Sequence, residues 1–92
     1  MPSNYELAEQ GGVLCTREEF WNTIVYNFAR NYREMTVETF LCHTDKANEY
    51  CNLIRKKLRA PELQNFVILN TLLSLRKSGR LNKALAKANE LH

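Results

Sequence analysis

LQNFVILNTLLSLRKSGRLNK, residues 63–83, decides the fold. Leu63, Phe66, Val67, Ile68, Leu69, Leu72, Leu73 and Leu75 recur at helical spacing and point nearly all around the axis. A helix that is apolar on most sides belongs at the centre of a bundle, with neighbours on several faces. Pro61 fits the first position of such a helix, because its missing N–H has no partner there. Gly79 ends it, since glycine takes the left-handed conformation without strain, and Arg76 and Lys77 suit the negative end of the helix dipole. The spacing therefore predicts a central helix over 61–78, with Asn70 needing a hydrogen-bond partner wherever it is buried.

Helical signals continue on both sides. Thr16 is a good N-cap, with Glu18 and Glu19 in the first turn. Phe20, Trp21, Ile24, Val25, Phe28, Ala29 and Tyr32 then mark a core-facing stripe that runs to about Arg33. Thr36 opens a short helix with Val37, Phe40 and Leu41 as its apolar contacts. Thr44–Asp45 opens a longer one, with Ala47, Tyr50, Cys51, Ile54 and Leu58 on one side. After Gly79 the segment RLNKALAKANELH favours helix, with Leu81, Ala84, Leu85, Ala88 and Leu91 aligned. Residues 1–15 have weak periodicity and contain Gly11–Gly12. They read as a flexible lead-in, anchored locally by Tyr5, Leu7, Val13 and Leu14.

No alternating pattern points to strands, and three Gly and two Pro in 92 residues argue against a turn-rich β fold. The expectation is an all-α domain over 16–92, a compact bundle of four to five helices around the 61–78 helix. A chain this short buries about two-thirds of its unfolded surface, so its stability depends on close packing or self-association.

Charge carries the functional information. Net charge is +3, yet residues 1–45 carry −4 and residues 46–92 carry +7. Such a split suggests either an anionic partner for the C-terminal half or attraction between the two halves. No apolar run reaches the ~18 residues of a membrane span. The N-terminal residues lack the basic start and apolar stretch of a secretory signal. With three cysteines and no disulfide framework, a reducing cytoplasm is the expected compartment.

Motifs for chemistry are sparse. Cys42, His43 and Cys51 are the one cluster of soft ligands, and C-H-x7-C matches no usual zinc spacing, so core packing is expected for the cysteines. Neighbouring helical positions such as 42 and 43 point about 100° apart and make a poor nucleophile–base pair. There is no phosphate-cradling glycine loop, no HExxH and no GxSxG. Binding without catalysis, metal or cofactor is therefore expected.

Residues 36–59 read as short helix, tight turn, longer helix, the outline of a helix-turn-helix. Lys46, Asn48, Asn52 and Arg55 would face a DNA groove, since Asn pairs with adenine and Arg with guanine. Arg55, Lys56, Lys57, Arg59, Arg76, Lys77, Arg80, Lys83 and Lys87 would meet phosphates. Arg80 and Lys83 lie where the dipole of the last helix disfavours cations, which suggests an anion there. The leading expectation is a small nucleic-acid-associated protein. The rival is a helical module that dimerises or docks on a protein, with Tyr26 and Leu53 as candidate anchors.

Overall fold

The computed structural model describes residues 3–90, with side chains through 87. Six helices follow one another: α1 Asn4–Gln10, α2 Arg17–Tyr32, α3 Val37–Cys42, α4 Thr44–Leu58, α5 Asn65–Lys77 and α6 Arg80–Glu90. Among the described residues there is no strand. The radius of gyration is 12.4 Å, close to the ~12 Å of a compact chain of this length.

Two of the sequence's start signals work as expected. Thr16 Oγ1 accepts the Glu19 N–H at 3.2 Å and Thr36 Oγ1 accepts the Thr39 N–H at 3.1 Å. Each satisfies one of the free donors of a first turn. Thr44, by contrast, is already helical. His43 alone separates α3 from α4, capping one and preceding the other.

The expected lead-in contains a helix. Ser3 caps α1 by accepting the Glu6 N–H at 3.1 Å, and α1 packs on α5 with Ala8 fully buried. Val13 is buried, whereas Leu14 is 95% exposed and anchors nothing. Among the described residues the expected all-α bundle therefore has six helices, slightly more than the four or five expected.

The central helix is α5, which touches all five others. It is shorter than the 61–78 expected. After α4, Arg59 takes a left-handed conformation at φ 54° and ψ 42°, and Ala60 and Leu63 turn inward to 1% and 2% exposure. Arg55 Nη1 donates to the Leu63 carbonyl at 3.0 Å. That bond fixes residues 60–63 as a turn, so α5 starts after Gln64 and Pro61 stays outside it. Nor is α5 buried on all sides. Phe66 is 49% exposed, Asn70 is exposed, and Leu69 and Leu73 are half-buried. Asn70 is therefore open to solvent and needs no partner from the core. Gly79 does end α5, at φ 87°.

Aromatic rings fill the core between α2, α3 and α4. Phe28 and Phe40 stack edge to face at 5.1 Å, and Tyr50 meets Phe40 at 5.4 Å and Phe28 at 6.1 Å. Such pairs add about 0.5–1.5 kcal/mol beyond burial. Tyr50 is fully buried, and its hydroxyl donates to the Ile24 carbonyl at 2.6 Å. Leu81 and Ala84 bring α6 onto this core. Ala88 and Leu91, expected on the same side, lie outside the described side chains.

Candidate nucleic-acid interface

The cations expected to form one surface are divided between the two ends of α5. Arg55 is bound beside Leu63 and Asn65 at the start of α5, with Lys56 and Arg59 exposed nearby in sequence. Arg76 lies 11 residues after Asn65, which is about 16 Å along a helix axis. Lys77, Arg80 and Lys83 follow it.

At the α4 end, three of the four side chains expected to read bases, Asn48, Asn52 and Arg55, are tied into one network. Arg55 donates to Asn65 Oδ1 and to Asn52 Oδ1, and Asn65 Nδ2 donates to Asn48 Oδ1 at 2.9 Å. This network braces α4 against the start of α5. The bend between α3 and α4 is a single residue, against the three or four of a helix-turn-helix turn. Lys46, Asn52 and Lys56 do line a groove of about 560 Å³ with Tyr32 and Leu53, but Glu49 sits among them.

At the other end the acidic half of the chain meets the basic half. Arg76 pairs with Glu38 through Nη1, and its Nε is buried without a hydrogen-bond partner among the described residues. Arg80 Nη1 donates to Glu18 Oε1 at 2.9 Å. Its guanidinium also covers Trp21, with Cζ 4.7 Å from the ring centroid. The cation at the start of α6 thus has its anion within the chain, and the anion expected from the dipole argument is Glu18.

Around this contact the structure brings together residues that the sequence does not single out as a set. Arg17 Cζ lies 5.4 Å from the Tyr5 ring centroid and 5.8 Å from that of Trp21. The Tyr5 hydroxyl donates to the Cys15 carbonyl at 2.6 Å, which holds the ring in place. A groove of about 510 Å³ between α2 and α6 is lined by Trp21, Asn22, Tyr26, Arg80, Lys83 and Lys87, with Glu18 at its edge. A second depression of about 430 Å³ contains Tyr5 and Arg17 and shares Trp21, Ser78 and Arg80 with the first. Among the described residues that line them, the two form a strip with four cations (Arg17, Arg80, Lys83, Lys87), three aromatic rings (Tyr5, Trp21, Tyr26) and one carboxylate, Glu18. Tyr26 is 45% exposed.

Of the ten residues expected to bind nucleic acid, Arg80 and Lys83 belong to this strip. Lys46, Asn52 and Lys56 belong to the α2–α4 groove, Asn48 and Arg55 to the bracing network, and Arg76 to its pair with Glu38. Arg59 and Lys77 are exposed. The pattern Arg17, Trp21 on α2 is legible as an i, i+4 pair. Its alignment with Lys83 and Lys87 depends on how α2 packs against α6.

The cysteines divide as well. Cys51 is fully buried, and removal from water pushes its thiol up to about 11, with Arg55 opposing the shift. Cys42 is exposed, contrary to the packing role expected of it, and His43 is exposed beside it. No group of three or more metal-ligating side chains occurs among the described residues, and none of their helices is long and apolar enough to cross a membrane. Comparison with known proteins gives no match to a family model, a curated sequence or a solved structure.

Proposed function

We propose that this protein binds nucleic acid through the α2–α6 strip, by phosphate contacts, without catalysing a reaction. The observation that carries this reading is the alignment of Arg17, Arg80, Lys83 and Lys87 along two joined depressions, with Glu18 as the one carboxylate among their described lining residues. Cations that neutralise phosphates release counterions, which supplies most of a sequence-independent affinity. The internal bonding of Asn48, Asn52 and Arg55 favours backbone contact over base reading by α4. The test is titration of the full chain into labelled oligonucleotides over a range of salt. With Arg80 held by Glu18, three phosphate contacts from Arg17, Lys83 and Lys87 give a log–log slope of about −2 to −3. Absence of binding tighter than millimolar at low salt overturns the reading.

A second reading rests on a different face. Phe66, Leu69 and Leu73 form an incompletely covered apolar stripe on α5, spaced i, i+3, i+7. Such a stripe suits a protein partner or a second copy. Light scattering across a concentration range separates self-association from a constant monomer mass.

A further inference from the structure

We infer that the strip takes a single strand, with an unpaired base laid on Tyr26, the base edge toward Asn22, and the backbone along Lys83 and Lys87. This rests on the nucleic-acid reading and specifies its ligand.

The two walls of the groove differ in chemistry. The α2 wall presents Glu18, held by Arg80, then Trp21, Asn22 and Tyr26; the α6 wall presents Arg80, Lys83 and Lys87. Trp21 is already flanked by two guanidinium groups, from Arg17 and Arg80. Tyr26 has no such cover. It is 45% exposed, and among the described residues its ring pairs with no other and its hydroxyl makes no hydrogen bond. The Asn22 side chain, half-buried one turn earlier, likewise makes no hydrogen bond among the described residues. An amide both donates and accepts, which matches a base edge.

Phosphate binding alone needs neither group. An aromatic face beside a free amide, opposite a row of lysines, matches a ligand with a flat apolar face, a polar edge and a negative backbone. Single strands present all three. A duplex presents its phosphates but hides its base faces in the stack. Lys83 and Lys87 are i, i+4 neighbours, about 5–6 Å apart at their Cβ atoms, comparable to successive phosphates on an extended strand.

The experiment compares a labelled single-stranded oligonucleotide with the duplex of the same sequence by fluorescence anisotropy, for the unmodified chain and for Tyr26→Leu, with polyglutamate as competitor. Leucine keeps the apolar bulk and removes the ring, and circular dichroism checks that the variant folds. Base–aromatic stacking is worth about 1–3 kcal/mol, so the variant should bind the single strand about 5- to 150-fold more weakly, with duplex affinity unchanged. The unmodified chain should prefer the single strand about fivefold or more, by the same stacking energy. Equal or tighter duplex binding, or a single-strand affinity unmoved by Tyr26→Leu, overturns the inference while phosphate binding stands. Displacement by polyglutamate at the same charge concentration assigns the strip to an acidic polypeptide and overturns it too. Absence of binding to either oligonucleotide removes both the inference and the reading beneath it.

Discussion

Arg80 covers Trp21, its Cζ 4.7 Å from the ring centroid, across a separation of 59 positions in the chain. The same guanidinium donates to Glu18 at 2.9 Å. One side chain therefore joins the start of α6 to the start of α2, fixes the middle of the basic strip, and pairs with the Glu18 carboxylate in it. With the Arg80 side chain 42% and the Glu18 side chain 61% exposed, the pair is screened by water, and exposed pairs contribute less than about 1 kcal/mol to stability.

Glu18→Gln follows from that geometry. The substitution releases Arg80 from its anion and removes a negative charge that repels phosphate. Unfolding free energy should change by less than about 1 kcal/mol. Oligonucleotide affinity at low salt should rise about two- to fivefold, consistent with ~1 kcal/mol or less for a charge contact in water. Urea unfolding and anisotropy check the two parts separately. Weakened binding would mean that Glu18 orients Arg80 for the ligand.

Two buried acids at the heart of the core set the alkaline limit of stability. Burial pushes Cys51 from its ordinary 9.0 to about 11, and Tyr50 well above 10.0, with Cys51 and Tyr32 adding to the shift on Tyr50. In both cases the folded state holds its proton more tightly than the unfolded chain. The stabilisation is fully present below the unfolded pKa and is lost as pH rises through the folded one. Cys15 is also raised, by burial first and then by Glu19. Unfolding free energy should therefore begin to fall near pH 9 and fall more steeply above 10. Cys51→Ala should make the pH 9–11 decline shallower, leaving the contributions of Cys15 and, above pH 10, of Tyr50. Tyr50→Phe should cost about 1–2 kcal/mol at neutral pH through the lost bond to the Ile24 carbonyl, and should reduce the decline above pH 10. Urea titrations at several pH values measure both.

Arg59 holds a backbone conformation at φ 54° that favours glycine. Residues with a Cβ pay about 1–2 kcal/mol there, and glycine returns part of that through its greater freedom when unfolded. Arg59→Gly should stabilise the fold by about 0.5–1 kcal/mol, whereas Arg59→Ala should leave it nearly unchanged. Chemical denaturation of the two variants distinguishes a conformational cause from loss of the charge.

Most of the fold is legible because its signals are local. Thr16 and Thr36 announce α2 and α3, Gly79 announces the end of α5, and the apolar spacing of α2 and α4 identifies their buried faces. What escapes the sequence depends on distant contacts. α1 is only seven residues long and carries one fully buried side chain, Ala8, so its helicity rests on the cap at Ser3 and the surface of α5. Pro61 resembles a helix start, but the bond from Arg55 to the Leu63 carbonyl and the burial of Ala60 and Leu63 hold it in a turn. The basic residues can be counted in the sequence, but their partners cannot. Glu18 and Arg80 are 62 positions apart, and Asn48 and Asn65 are 17 apart. Packing of α6 on α2 aligns Lys83 and Lys87 with Arg17, Trp21 and Tyr26, and no local pattern in either helix encodes that alignment.

Trp21 is the single tryptophan of the chain and lies within the strip, so a ligand seated there sits beside the chain's one indole fluorophore. The most direct measurement titrates an unlabelled oligonucleotide into the full chain at low salt while following Trp21 fluorescence, then repeats the titration with Lys83→Glu/Lys87→Glu. Both lysines are exposed, so the double variant should fold. The expected result is a saturable change in Trp21 emission that salt reverses and that the charge reversal abolishes. Binding seen by anisotropy with Trp21 emission unmoved, or with unchanged affinity in the double variant, would contradict the assignment of this strip as the nucleic-acid interface.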